Sequence, residues 1–188
     1  TGTDAFNGQA GDDHLYGFSG NDILSGGDGN DKIVGGLGND TISGGSGNDT
    51  ILGQTGDDTV TTGSGNDDVT TGLGDDAITV NGTGTKTISG GAGTDTLTVS
   101  TSGISNLGSF ASIERTSASS SSGDRTDAVY KLTYSNGDTI SFSSIENLTV
   151  GSVSYTNIDP TENQNAFWSS SEHKVYLYQT TEGGSVNS

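Results

Sequence analysis

Residues 26–34 read Gly-Gly-Asp-Gly-Asn-Asp-Lys-Ile-Val, and residues 44–52 read Gly-Gly-Ser-Gly-Asn-Asp-Thr-Ile-Leu. Both are copies of a nine-residue unit, G-G-x-G-x-D-x-U-x, in which U is apolar. Its aspartate recurs without a gap at Asp4, Asp13, Asp22, Asp31, Asp40, Asp49, Asp58, Asp67 and Asp76. After a slip of one residue the register resumes at Lys86 and Asp95. A glycine stands two places before each of these eleven positions, from Gly2 to Gly93, and an apolar side chain two places after, from Phe6 to Leu97. A period this strict marks stacked repeats, in which each unit buries its apolar residue against its neighbours.

The first six residues of the unit read as a turn, for which glycine supplies backbone conformations with φ > 0. The last three alternate polar, apolar, polar, which reads as a very short strand with one side chain inward. Some copies depart from the pattern. Gln9, Phe18 and Gln54 stand for the second glycine, and Thr62, Thr71 and Asn81 for the first. Ideal turn geometry is not expected at those places.

Composition adds a demand. Leu, Ile, Val and Phe make up 36 of 188 residues, and the net charge is −18. A chain so acidic and so poor in apolar residues cannot by itself offset the entropy of ordering, roughly 1–2 kcal/mol per residue. The repeat can fold only if something neutralises the aspartates, so a bound cation is expected. The same acidity argues against nucleic acid as a partner, because phosphates would be repelled. No apolar run approaches the roughly 20 residues of a membrane span. There is no cysteine, hence no disulfide. The chain opens in mid-repeat and has no Met, and it reads as a piece of a longer protein.

The unit resembles the RTX (repeats-in-toxin) nonapeptide, and the resemblance covers residues 1–100. It implies an all-β fold, a parallel β-roll with two nonapeptides per coil and Ca²⁺ held between stacked turns on each edge. It implies that aspartates of successive turns share each ion, with backbone carbonyls completing the shell. Oxygen ligands without His or Cys suit Ca²⁺ on general grounds as well. Two repeats per coil place Asp4, Asp22, Asp40, Asp58, Asp76 and Asp95 on one edge, and Asp13, Asp31, Asp49, Asp67 and then Lys86 on the other. Consecutive aspartates give about eight candidate sites, whose ions would nearly cancel the charge of −18. Lys86 has two readings: its ammonium replaces the ion beside Asp67, or it points to solvent.

The outward positions differ between the two faces. One presents Asn7, Ser25, Ser43, Thr61, Thr79 and Thr98; the other begins with Tyr16, Val34 and Leu52. That second face is either a docking stripe or three ordinary exposed residues.

From Ser100 the period stops, and residues 101–188 are expected to form a β-rich cap over the end of the stack. Residues 117–123 read as a loop. Ala128–Tyr134 and Asp138–Phe142 alternate around Asn136-Gly137, a hairpin signal, and 145–150, 152–155 and 173–179 are further strand candidates. Glu114 and Glu146 read as solvated or capping carboxylates, and Phe167 and Trp168 as packing residues.

No catalytic residues are expected. His14 and His173 lie far apart in sequence, and no G-x-S-x-G elbow occurs. The leading functional reading is a calcium-dependent structural module of an extracellular bacterial protein, of surface-layer or large-adhesin type. The resemblance implies type I secretion and folding on Ca²⁺ outside the cell. The alternatives are an accessory or secretion module of a secreted enzyme (polysaccharide-modifying enzyme, lipase or protease) and a carbohydrate-binding adhesin tip. Expected partners are calcium ions, with other copies of the parent protein or cell-surface polysaccharide as further candidates.

Overall fold

A computed structural model describes residues 2–100, 110–117, 128–134, 136–150, 153–156, 164–169 and 174–179, with the backbone alone for 110–117, 128 and everything from 153 onward. The repeats wind into a parallel β-solenoid of two facing sheets, as an RTX β-roll does. One sheet stacks β1 (Ala5–Ala10), β3 (Ile23–Asp28), β5 (Thr41–Ser46), β7 (Thr59–Ser64), β9 (Ala77–Val80) and β11 (Thr96–Val99). The other stacks β2 (His14–Ser19), β4 (Lys32–Leu37), β6 (Thr50–Thr55), β8 (Asp67–Leu73) and β10 (Lys86–Ala92). All these neighbours run parallel, and like positions of successive coils meet. Phe6 stacks on Leu24 and Leu24 on Ile42, while Leu15 stacks on Ile33 and Ile33 on Ile51.

The strands are longer than the sequence pattern suggests. β5 continues through both glycines of the next unit, and Ile42 and Gly44 both point into the core. The first glycine of the unit is therefore a strand residue, and its role is steric. A Cβ on Gly44 would fall on the Asp49 carboxylate and the Thr62 carbonyl. The second glycine does supply a turn, with φ 110° at Gly45. Gln9, Phe18 and Gln54 keep the same turn with φ of 72°, 68° and 85°. The geometry is thus retained there, at a cost of roughly 1–2 kcal/mol for each left-handed side chain.

The one-residue slip is absorbed in a turn. Ile78 still stacks on Leu97 and Val69 on Ile88. Val80, not Asn81, takes the inward place of the first glycine, and Asn81 becomes the extra residue, accepting the Gly63 N–H on its Oδ1. Leu24, Ile33, Ile42, Ile51, Val60, Val69, Ile78, Ile88 and Leu97 form one aliphatic ladder between the sheets, each no more than 1% exposed.

After β11 the chain leaves the roll and later returns to it. Beyond residue 100 lie β12 (Phe110–Ser117), β13 (Ala128–Tyr134), β14 (Thr139–Ser143), β15 (Asn147–Val150), β16 (Val153–Thr156), β17 (Gln164–Ser169) and β18 (Lys174–Gln179). β14 adds in parallel to β10, placing Phe142 under Ile88; β15 adds in parallel to β11, placing Leu148 under Leu97. Hydrogen bonding therefore runs unbroken across residue 100 in both sheets. The antiparallel strands β13 and β16 then follow β14 and β15. Asn136-Gly137 forms the hairpin between β13 and β14, with the Gly137 N–H donating to Tyr134 O at 3.0 Å. β17 and β18 make a separate two-stranded ribbon. The loop expected over 117–123 lies outside the described residues from 118 on. So do His173 and the side chains of Glu114, Phe167 and Trp168.

The face that begins with Tyr16 is only partly apolar on the outside. Tyr16 is exposed, and Val34 and Leu52 are half-buried.

The fully buried Ile51 should be expensive to truncate. Ile51→Ala is expected to lower the stability of the calcium-saturated chain by about 2–5 kcal/mol in urea unfolding. The neighbouring exposed Thr50→Ala should stay within about 0.5 kcal/mol. Equal effects of the two would contradict the inward assignment.

Candidate metal centre

The turns that enter the first sheet carry Asp4, Asp22, Asp40, Asp58, Asp76 and Asp95. Those that enter the second carry Asp13, Asp31, Asp49, Asp67 and Lys86. The two columns expected from the sequence are thus brought together, one on each edge. Asp22 and every later aspartate of both columns are 0–3% exposed, whereas Asp13 is half-buried and Asp4 exposed.

Each buried carboxylate divides its oxygens between two duties. Oδ1 accepts the backbone N–H of the aspartate one coil before. Asp22 N–H donates to Asp40 Oδ1 at 2.8 Å, Asp31 N–H to Asp49 Oδ1 at 2.9 Å, and Asp76 N–H to Asp95 Oδ1 at 2.9 Å. The charge is thereby fixed in place, because an oxygen held by a backbone donor cannot rotate out to water. Oδ2 has a different fate. In Asp13, Asp22, Asp31, Asp40, Asp49, Asp58, Asp76 and Asp95 it is buried and accepts no hydrogen bond. Eight ionised oxygens in that condition would be untenable, since a buried unpaired charge costs many kcal/mol.

Asp67 shows what completes the arrangement. Its Oδ2 lies 2.6 Å from Lys86 Nζ, and both side chains are fully buried. The ammonium also donates to Gly65 O at 2.6 Å, Gly63 O at 2.9 Å and Thr83 O at 3.1 Å. Four oxygens thus surround one cationic nitrogen. Gly63 and Gly65 stand four and two residues before Asp67, and every earlier aspartate from Asp13 on is preceded by a turn of the same length. Lys86 thus shows how a cation meets the second carboxylate oxygen at one rung of the ladder. The reading in which Lys86 points to solvent is overturned by its complete burial.

Electrostatics agree with a ladder built to hold cations. Burial pushes Asp58 up to about 7, against the lowering effect of the Asp40 N–H, and the charges of Asp76 and Asp40 push the same way as burial. Burial likewise raises Asp49 and Asp95 to about 6. Asp40 and Asp76 are also raised, chiefly by burial. No three His, Cys, Asp or Glu side chains converge among the described residues. At Asp67 the cation meets one Oδ2 and backbone carbonyls, and in the other coils the residue at the place of Lys86 is a second aspartate. That all-oxygen, doubly anionic set fits a hard divalent ion of flexible coordination, which favours Ca²⁺ over Zn²⁺ or copper.

The sequence profile described as RTX calcium-binding nonapeptide repeat (4 copies) matches residues 1–33, 16–51, 25–60, 43–78 and 82–99. The chain belongs to this family. RTX nonapeptide repeats bind calcium and act as structural modules rather than catalysts. Comparison with curated proteins gave no match. Among solved structures, the crystal structure of the extracellular lipase LipA from Serratia marcescens is similar at 20% identity and a TM-score of 0.35. The match covers 83% of this chain and 18% of the lipase chain, so the present chain spans less than a fifth of that length.

Two features of this RTX site lie beyond the sequence reading. The residue before each aspartate is free to vary in the nonapeptide pattern, yet it forms a second ladder on the exposed side of the turns. Asn39 N–H donates to Asn21 Oδ1 at 3.0 Å, Asn48 N–H to Asn30 Oδ1 at 2.8 Å, and Asn66 N–H to Asn48 Oδ1 at 2.7 Å. A signal for it does exist, since Asp12, Asn21, Asn30, Asn39, Asn48, Asp57, Asn66 and Asp75 are all Asn or Asp. The second feature is Glu146, expected to be solvated or capping, which accepts the Asp95 N–H on Oε2 at 2.7 Å.

Two measurements test the ladder. Lys86→Asp exchanges the built-in ammonium for a carboxylate and should raise the calcium stoichiometry by one ion in native mass spectrometry. An unchanged count would show that Lys86 does not stand at a cation position. The second test is pH. A carboxyl whose value is raised on folding favours the metal-free fold at low pH, and that contribution is lost as pH climbs from about 4 towards 6–7. Calcium binds only the ionised form, so its effect has the opposite sign. The calcium affinity of the folded chain should therefore fall as pH is lowered from 7 to 5, read by titration with a competing chelator. An affinity indifferent to pH would contradict the buried carboxylates.

Proposed function

We propose that this chain is a calcium-folded structural module of an extracellular bacterial protein. In this reading Asp4, Asp13, Asp22, Asp31, Asp40, Asp49, Asp58, Asp67, Asp76 and Asp95 are the metal ligands, and consecutive aspartates of each column share about eight Ca²⁺ ions. The observation that carries it is the contrast between Asp67 and its eight counterparts. The one carboxylate that faces a lysine is satisfied, and the others present the same Oδ2 with no partner of their own.

The mechanism is a folding switch. At low calcium the stacked carboxylates repel, and the small aliphatic ladder cannot compensate. Extracellular modules of this type bind Ca²⁺ with a Kd on the order of 10⁻⁴–10⁻³ M. The chain would stay unfolded in the cytosol, pass a type I secretion machine in that state, and fold outside. Residues 101–188 act as the β-rich cap, a role supported by the antiparallel strands that follow β14 and β15. The parent we favour is a surface-layer protein or large adhesin at the cell surface. Support comes from a composition dominated by Gly, Ser, Thr, Asn and Asp.

In excess chelator, far-UV circular dichroism should show residues 1–100 without ordered β structure, and millimolar Ca²⁺ should restore the β signal cooperatively. A spectrum that ignores calcium would end this reading.

A further inference from the structure

Glu146 occupies a place that the ladder defines. β15 follows β11 in register, with Thr96 opposite Asn147 and Leu97 opposite Leu148, so Glu146 stands one coil beyond Asp95. The backbone repeats the pattern of the earlier coils. Asn147 N–H donates to Asp95 O at 2.9 Å, as Thr96 N–H donates to Asp76 O at 2.8 Å. The side chain repeats it too. Glu146 Oε2 takes the Asp95 N–H at 2.7 Å, as Asp95 Oδ1 takes the Asp76 N–H at 2.9 Å. Glutamate reaches one methylene further than aspartate and finds the same donor.

Above Glu146 the half-site of the repeat is complete. Asp95 is 0% exposed, and its Oδ2 is buried without a hydrogen-bond partner. At Asp67 that oxygen faces a cation, together with the carbonyls of the residues four and two places earlier. The corresponding residues here are Gly91 and Gly93, whose φ of 109° and 145° keep the left-handed turn found at Gly63 and Gly65, at 96° and 118°. The lower half differs from the other coils. Glu146 follows the inward Phe142 by four residues, whereas Asp95 follows the inward Ile88, in register with Phe142, by seven. No residue there corresponds to Thr83, whose carbonyl completes the shell around Lys86 Nζ.

We infer that Asp95 and Glu146 hold a further Ca²⁺ ion, outside the repeat-to-repeat set, at the joint where the returning chain rejoins the roll. The inference rests on the calcium reading of the ladder. With fewer protein carbonyls and a half-buried glutamate, this ion keeps more water and binds more weakly than those between repeats. Its role is to tie β15, and with it the C-terminal segment, to the last repeat turn only when calcium is present.

The test counts ions on the full chain. Calcium binding is measured by native mass spectrometry and by titration with a competing chelator, for the parent chain, Glu146→Gln, Glu146→Lys and Asp40→Asn. Glutamine keeps an acceptor for the Asp95 N–H but drops the charge. Lysine sets an ammonium there, as Lys86 does in the other column. Both variants should lose one ion, the weakest, while the β signal in saturating Ca²⁺ is kept. Asp40→Asn should instead lose a tightly held ion. If either Glu146 variant folds and retains the parent's count and titration while Asp40→Asn loses an ion, the inference falls and the ladder stands. If the parent binds no calcium, both fall together.

Discussion

Everything in this molecule depends on carboxylates stacked one coil apart on each edge of a roll that water does not reach. Backbone N–H groups hold one oxygen of each and leave the other turned inward. Such a column is repulsive by itself. Burial raises a carboxyl's proton affinity, and neighbouring like charges raise it further, which is why Asp58 is pushed to about 7. The chain cannot remove this cost by repacking, because the aspartates sit at the turns and the turns set the register of both sheets. It can be met only by protons or by cations.

That constraint accounts for the sequence around each aspartate. Where glycine heads the unit it lies on the inner face, and a Cβ there would take the space of the carboxylate or of the carbonyl one coil on, while Thr62 and Thr71 are buried at that place in two units. The aliphatic residue two places after the aspartate supplies the remaining cohesion, one side chain per strand. A single such ladder is a thin core for two sheets of this length. The fold is therefore poised: cohesive enough to be specified by its pattern, and too weak to survive its own charge without an ion.

Much of this was legible in the sequence because the period is strict. The positions of Asp22, Leu24 and Gly29 each recur often enough that fold, coil length and the two columns follow from counting. The extent of the strands was less legible. Glycine is read as a turn residue, and its presence in a strand beside a carboxylate, as at Gly44, is visible only once the coils are stacked. The Asn and Asp ladder is easy to overlook because the residue before each ligand carries no apolar or metal signal. Glu146 is harder still. Glu146-Asn147-Leu148-Thr149-Val150 matches Asp95-Thr96-Leu97-Thr98-Val99 in pattern. A long stretch of chain without the nonapeptide period separates the two, and no local rule says that the chain comes back.

The two columns end in opposite ways, and the path of the chain explains why. Below Lys86 the second column reaches the edge where the chain departs after β11, so no further repeat turn follows it there. An aspartate at position 86 would leave its own second oxygen with no repeat turn beneath it. A lysine brings the charge with it, and Asp67, Gly63 and Gly65 close around the ammonium whatever the calcium concentration. Below Asp95 the first column reaches the edge where the chain returns on β14 and β15, and it ends in a second carboxylate. One column is sealed by the chain itself; the other is left to the ion. The Lys86 ammonium thus closes its column without calcium, and the proposed Asp95–Glu146 ion would tie the returning segment to the other.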